Sequence, residues 1–196
     1  MKSHAPKRRG FTLIEAMVST TIAALAGAAL LQGIYSSIGS TKSAQEQTIA
    51  AGLAQQMMDE IAGKIYCAVR NSPYETSLGP SAAEQAGAGR SLYNDIDDFN
   101  GIRSGPVKDP WGVAVGDDDG KGGSRHPSMR VASSLTKWRR EVDVYYVSNS
   151  DLKTKLGAGL TSDFKMVEVR VYIDDPSGAR RLLATLKRVF AYVPTL

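Results

Sequence analysis

The sequence predicts an α+β chain: one long N-terminal helix, apolar in its first half and amphipathic in its second, packed against a small antiparallel β-sheet headgroup. Three observations carry this. Phe11 to Ile38 is apolar with Glu15 as its only charge, and Ala50, Ala54, Met57, Ile61 and Ile65 then recur at helical spacing. Beyond residue 128 the chain turns to alternating runs rich in Val, Tyr and Leu. The composition fits one folded body, because 196 residues that are 42% hydrophobic and 22% charged leave room for a single domain and exclude a multidomain enzyme. A mean hydropathy of -0.21 is too polar for a protein that crosses a membrane many times.

Residues 1–10 form a basic leader. The net charge of +4 resides there: with Lys2, Lys7, Arg8 and Arg9 set aside, the remaining chain balances at 20 basic and 20 acidic residues. A nucleic-acid partner is therefore not expected from overall charge. Residues 11–38 can span a bilayer, since about 20 helical residues cross a hydrocarbon core of about 30 Å. The cluster Lys7, Arg8, Arg9 before the span keeps the N-terminus cytoplasmic and places everything after Ile38 on the exported side. A cleaved secretory signal would look similar at its start, but its apolar run is shorter and nothing about it requires the following segment to continue as an amphipathic helix.

Glu15 is the anomaly. A carboxylate at the centre of a spanning helix costs about 2.5–3.5 kcal/mol on insertion scales, and nearer the interface it still needs a partner. The residues around it, Arg8-Arg9-Gly10-Phe11-Thr12-Leu13-Ile14-Glu15, resemble the type III signal of the type IV pilin and pseudopilin family. That resemblance implies cleavage after Gly10 by the prepilin peptidase, N-methylation of the new N-terminal Phe11, and a role for the Glu15 carboxylate in assembly. It also implies a pilin-like fold, other pilin or pseudopilin subunits and an inner-membrane assembly platform as partners. The physics agrees, because the cut removes the basic leader and creates an amine in the same apolar layer as the acid. Two pairings stay open: the amine of a neighbouring subunit, or that of the same chain one helical turn away. The small residues Ala16, Ala23, Ala24, Ala26, Gly27, Ala28, Ala29 and Gly33 allow close helix approach or merely make an Ala-rich anchor.

Residues 39–70 read as the amphipathic half of the helix, with Gln45, Glu46, Gln55, Asp59 and Lys64 on its polar face. From Phe11, about 55 residues would make about 80 Å of unbroken helix. Helical signals fail at Asn71-Ser72-Pro73, and residues 71–128 read as an irregular loop region rich in Gly, Pro, Ser and Asp. Within it, Tyr93 to Gly101 is similar to an Asp-rich stretch of some minor pilins and pseudopilins, and reads equally as a solvated cluster of Asx turns. Residues 129–196 form the β headgroup, with strands expected at Met129–Ser133, Glu141–Ser148, Phe164–Asp174 and Arg180–Val193. Val167, Val169, Val171 and Ile173 share one face, Glu168, Arg170 and Tyr172 the other, and Asp175-Pro176-Ser177-Gly178 is a type I turn sequence joining the last two strands.

Catalytic signals are sparse. Only His126 lies beyond the leader, so neither a two-His metal site nor a His-bearing triad can be built from one processed chain. Gly116 to Ser124 fails the phosphate-loop spacing, and no cofactor is expected. Asp117 and Asp119 are the candidates for a loose calcium site, against a solvated acidic turn. Arg125, Arg130, Lys137, Arg139 and Arg140 around Trp138 could meet DNA, against a solvated sheet edge. Cys67 can form no intrachain disulfide. The function expected is structural: a minor pilin of a type IV pilus-like filament, with a type II secretion pseudopilin and an uncleaved, membrane-anchored binding protein or enzyme as alternatives. It is expected to be a single-pass inner-membrane protein with an exported headgroup.

Overall fold

A computed structural model of the chain describes residues 12–68, 72–130, 133–175 and 178–194. It divides into two compact units, Met1–Gln45 and Glu46–Leu196. Helix α1, Leu13–Ala62, supplies the described part of the first unit almost entirely and the first element of the second.

In the first unit the helix exposes its apolar side chains all round. Leu13, Ile14, Met17, Val18, Ile22, Leu25, Leu30, Leu31, Ile34, Tyr35 and Ile38 are all more than half exposed. The helix is long and apolar enough to cross a membrane. Three of its threonine hydroxyls have partners: Thr20 Oγ1 donates to Ala16 O (2.9 Å), Thr21 Oγ1 to Met17 O (2.8 Å) and Thr41 Oγ1 to Ser37 O (2.9 Å). In hydrocarbon the Thr20 and Thr21 hydroxyls would otherwise be unpaired.

In the second unit the same helix becomes one-sided. Ala50, Leu53, Ala54, Met57, Met58 and Ile61 are buried, at the alternating three- and four-residue steps of one helical stripe, while Gln55 and Asp59 stay exposed. That stripe joins one core with Val142, Val144, Val167, Val169, Val171 and Trp138 of the sheet. Ile65 does not join it: α1 ends at Ala62, and Ile65 is 48% exposed. Its carbonyl accepts instead from Ile96 N (3.0 Å).

The sheet has four antiparallel strands in sequence order: β1 Arg103–Ser104, β2 Trp138–Tyr146, β3 Phe164–Asp174 and β4 Arg180–Ala191. β3 matches the sequence expectation at both ends, and β4 begins where expected. The Phe164–Asp174 and Arg180–Ala191 strands pair as a hairpin, with Gly178 N donating to Asp175 O (2.8 Å) and a register shift at Val171/Tyr172. Pro176 and Ser177 of the expected turn lie outside the described residues. Inward Val167, Val169 and Val171 are fully buried, and Glu168, Arg170 and Tyr172 are half-buried on the opposite face. There Glu141 and Asp143 meet Arg103 and Arg170 across three strands.

Two strand expectations are corrected. Met129–Ser133 is not a strand: short 3-10 turns occupy Pro127–Met129 and Ser133–Lys137, with residues 131–132 outside the described set. The remaining strand is instead the two-residue β1 inside the region read as irregular. β2 also starts at Trp138 rather than Glu141, because Trp138 and Arg140 point inward and are buried. β2 consequently lies between β1 and β3, and its basic residues do not form a solvated sheet edge. The irregular connection is itself part of the core, contributing Ile96, Phe99 and Val107.

The difference between the two isoleucines is testable. Ile61→Ala should destabilise the folded headgroup by about 2–5 kcal/mol through lost burial and a residual cavity, whereas Ile65→Ala should stay within about 0.5 kcal/mol. Denaturant unfolding of the full-length chain in detergent, followed by tryptophan fluorescence, measures both.

Candidate functional site

The site predicted most strongly, around Glu15, lies on the first turn of α1. Gly10 and Phe11 lie outside the described residues. From Thr12 onward the geometry is explicit. Thr12 N donates to Glu15 Oε2 (3.0 Å), Thr12 Oγ1 donates to the same oxygen (3.0 Å), and Glu15 N donates back to Thr12 Oγ1 (3.3 Å). This is a reciprocal capping box, Thr at the cap and Glu three residues on, which satisfies two of the donors that a helix start leaves open. The carboxylate is thereby turned towards the N-terminal end of the helix. Its second oxygen, Oε1, has no partner among the described residues. Leu13 and Ile14 beside it are 82% and 71% exposed, so the acid is set in an apolar surface.

Residues 5–31 match the family model of the prokaryotic N-terminal methylation motif. The chain carries the type IV pilin and pseudopilin signal. No curated protein and no solved structure matches the chain. The signal covers Gly10, Phe11, Thr12 and Glu15 and runs through the Ala-rich part of α1. Together with the long helix and the four-stranded sheet, it fits a pilin-like α+β arrangement.

Elsewhere the structure disperses the candidates. Asp119 Oδ1 accepts from Lys121 N and Gly123 N, both at 2.8 Å, and Asp118 Oδ2 from Gly116 N (3.1 Å). Asp117 contributes its carbonyl to Arg125 N (2.7 Å). No cluster of three or more acidic, His or Cys side chains able to hold a metal occurs among the described residues. The basic run is also divided. Trp138 and Arg140 are buried, and Arg139 Nε pairs with Asp174 Oδ2 (2.5 Å). Cys67 is a free, half-buried thiol whose pKa burial pushes up, which disfavours the reactive thiolate.

The Asp-rich stretch is neither solvated nor open. Asp95 Oδ1 accepts from Asp97 N (2.9 Å) and Asp98 N (3.2 Å), Asp95 Oδ2 from Ala68 N (2.8 Å), and Asp98 Oδ2 from Asn94 N (2.7 Å). The Asx turns are present, but they are folded under the headgroup with Asp95, Asp97 and Asp98 all buried.

Sequence reasoning missed two buried ionic groups. Lys165, fully buried, donates from Nζ to Asp97 Oδ2 (2.7 Å) and lies 4.2 Å from the Tyr66 ring centroid. Arg140 donates to Leu53 O (3.3 Å) and Lys108 O (2.8 Å), beside the two-pronged pair of Arg90 with Glu60 (2.9 and 2.8 Å). Burial lowers the Arg140 pKa to about 9, with Arg90 adding to the effect. The available signal was placement: Arg140 occupies an inward position in the strict alternation of β2, and Lys165 stands two residues before Val167 on the inward face of β3.

Burial pushes Asp97 up to about 6, against the opposing pull of Lys165, and burial likewise raises Asp98 to about 6. A carboxyl that holds its proton more tightly folded than unfolded gains stability for the fold as pH falls from about 6 towards the unfolded value. The melting temperature of the wild-type chain should therefore be higher at pH 5 than at pH 7.5. Below about pH 4 the trend reverses, because hydrogen bonds hold Glu84 low and Asp151 at about 2. Lys165→Met, which strands the Asp97 carboxylate, should cost about 3–5 kcal/mol at pH 7.5, and part of that loss should be recovered at pH 5. A loss independent of pH would remove Asp97 from the explanation.

Proposed function

We propose that the chain is a structural subunit of a type IV pilus-like filament, of the minor class, and that it acts by being processed, extracted from the membrane and packed through α1. The observation that carries this reading is the Glu15 carboxylate held by Thr12 at the start of an exposed apolar helix, inside the matched methylation signal. Prepilin peptidase cuts after Gly10, Phe11 becomes the methylated N-terminus, and the headgroup lies on the exported face of the inner membrane. The choice of the minor class rests on Cys67 being the sole cysteine, which leaves no paired C-terminal cysteines of the kind common in major pilins.

Processing then controls assembly. Before the cut, Glu15 has the cap donors of Thr12 and a basic leader on its cytoplasmic side. After it, an ammonium group appears one residue before the cap. An amine from a neighbouring subunit can reach Oε1 while Oε2 stays on Thr12, so each carboxylate serves its own helix and the next one. An ion pair in this low-dielectric layer is strong, and either partner alone is penalised.

Intact-mass measurement of the protein from cells with an active prepilin peptidase should give a chain beginning at methylated Phe11. A mass that includes Met1 would instead identify an uncleaved membrane anchor. Glu15→Ala should leave cleavage after Gly10 intact and abolish incorporation into filaments, scored by shearing and immunoblotting. Normal incorporation would overturn the pairing between subunits.

A further inference from the structure

A cavity of about 580 Å³ opens along β2 at Val144–Tyr146. Hydrogen-bond direction alternates along a strand, and Val147 N donates to Phe164 O on the β3 side, so the even-numbered residues of β2 direct their backbone groups towards the β1 side. On that side most groups are taken. Val142 N donates to Ile102 O (3.0 Å) and Val142 O accepts from Gly101 N (3.1 Å). Val144 N donates to Asn100 Oδ1 (2.9 Å), on the segment that leads into β1. Tyr146 O accepts from Leu156 N (2.9 Å). The carbonyl of Val144 and the amide of Tyr146 remain, and neither has a partner among the described residues. Both residues are buried and both line the cavity.

A carbonyl and an amide two residues apart on one strand edge are the groups that a single residue of an added parallel strand engages: its N–H meets the carbonyl and its C=O meets the amide. Charge narrows the occupant. Two charged side chains line the cavity, Asp143 and Lys155. Asp143 is taken by Arg103 and Arg170. Lys155 lies 4.8 Å from the Tyr145 ring centroid and has no carboxylate in ion-pair reach among the described residues. We propose that this slot receives an extended acidic polypeptide segment of another protein, bridged to Val144 and Tyr146 through its backbone, with a carboxylate side chain on Lys155. Leu160, 61% exposed in the lining, supplies apolar contact for a neighbouring side chain of that segment. The headgroup thereby gains a peptide-binding role separate from filament packing through α1.

The test uses the full-length chain in detergent micelles and an acetylated, amidated hexapeptide of alternating valine and glutamate carrying a fluorophore. Saturable binding by anisotropy is expected, with hydrogen exchange at the Tyr146 amide slowed about tenfold and that at Val142 unchanged. The same peptide with its glutamate amides N-methylated, which cannot donate to the Val144 carbonyl, should not bind. Thr76→Trp, an exposed position in the lining, should block the slot, and Lys155→Glu should weaken binding about threefold. Absence of saturable binding overturns the proposal, as does binding that survives N-methylation or leaves Tyr146 exchange unchanged. Equal binding of a valine–lysine hexapeptide overturns the acidic assignment.

Discussion

The inner face of β2 and β3 has to be covered, and one stripe of α1 covers it. Leu53, Met57, Met58 and Ile61 on the helix and Val142, Val167, Val169 and Val171 on the sheet have no exposure to spare. Once the helix is seated, inward positions not filled by aliphatic side chains fall at the margins of its footprint. Lys165 and Arg140 stand at two of them, and each requires an internal counter-charge or a set of carbonyls. The Asp-rich stretch and the Arg90–Glu60 pair follow from that requirement. What reads in sequence as a long irregular loop is the material that closes the two margins, which explains why it is rich in Asp and yet buried.

The N-terminal half answers to a different solvent. There the apolar residues have no preferred side, and the polar ones must be satisfied within the helix. Glu15 fits this rule through Thr12, but only for one of its two oxygens. A carboxylate half-satisfied in its own chain is stable enough to reside in an apolar layer and still open to a second donor. On the proposed reading, that combination suits a subunit that waits in a membrane before it joins a polymer.

Much of this was legible in the sequence. The spanning segment, the amphipathic continuation and the β3–β4 hairpin each follow a clean periodicity, and the processing signal is a contiguous string of residues. The failures share a cause. Met129–Ser133 has strand-like composition but no long alternation, and β1 is two residues long, with nothing local to mark it. Arg140 looked like surface because arginine usually is, and its burial depends on Leu53 O and Lys108 O, carbonyls far away in sequence. Thr12 was the opposite case: the Thr-x-x-Glu spacing of a capping box was present in plain view, overshadowed by the more conspicuous Glu15.

The threonines of the apolar half carry a last implication. Because Thr20 and Thr21 return their hydroxyl protons to carbonyls one turn back, each of these side chains brings its own polar contact wherever the helix goes. On the proposed reading, moving it from a fluid of acyl chains into a bundle of its own kind ruptures neither of those bonds. The choice between the two surroundings is left to how well neighbouring surfaces fit, a quantity that can be tuned residue by residue without disturbing the backbone.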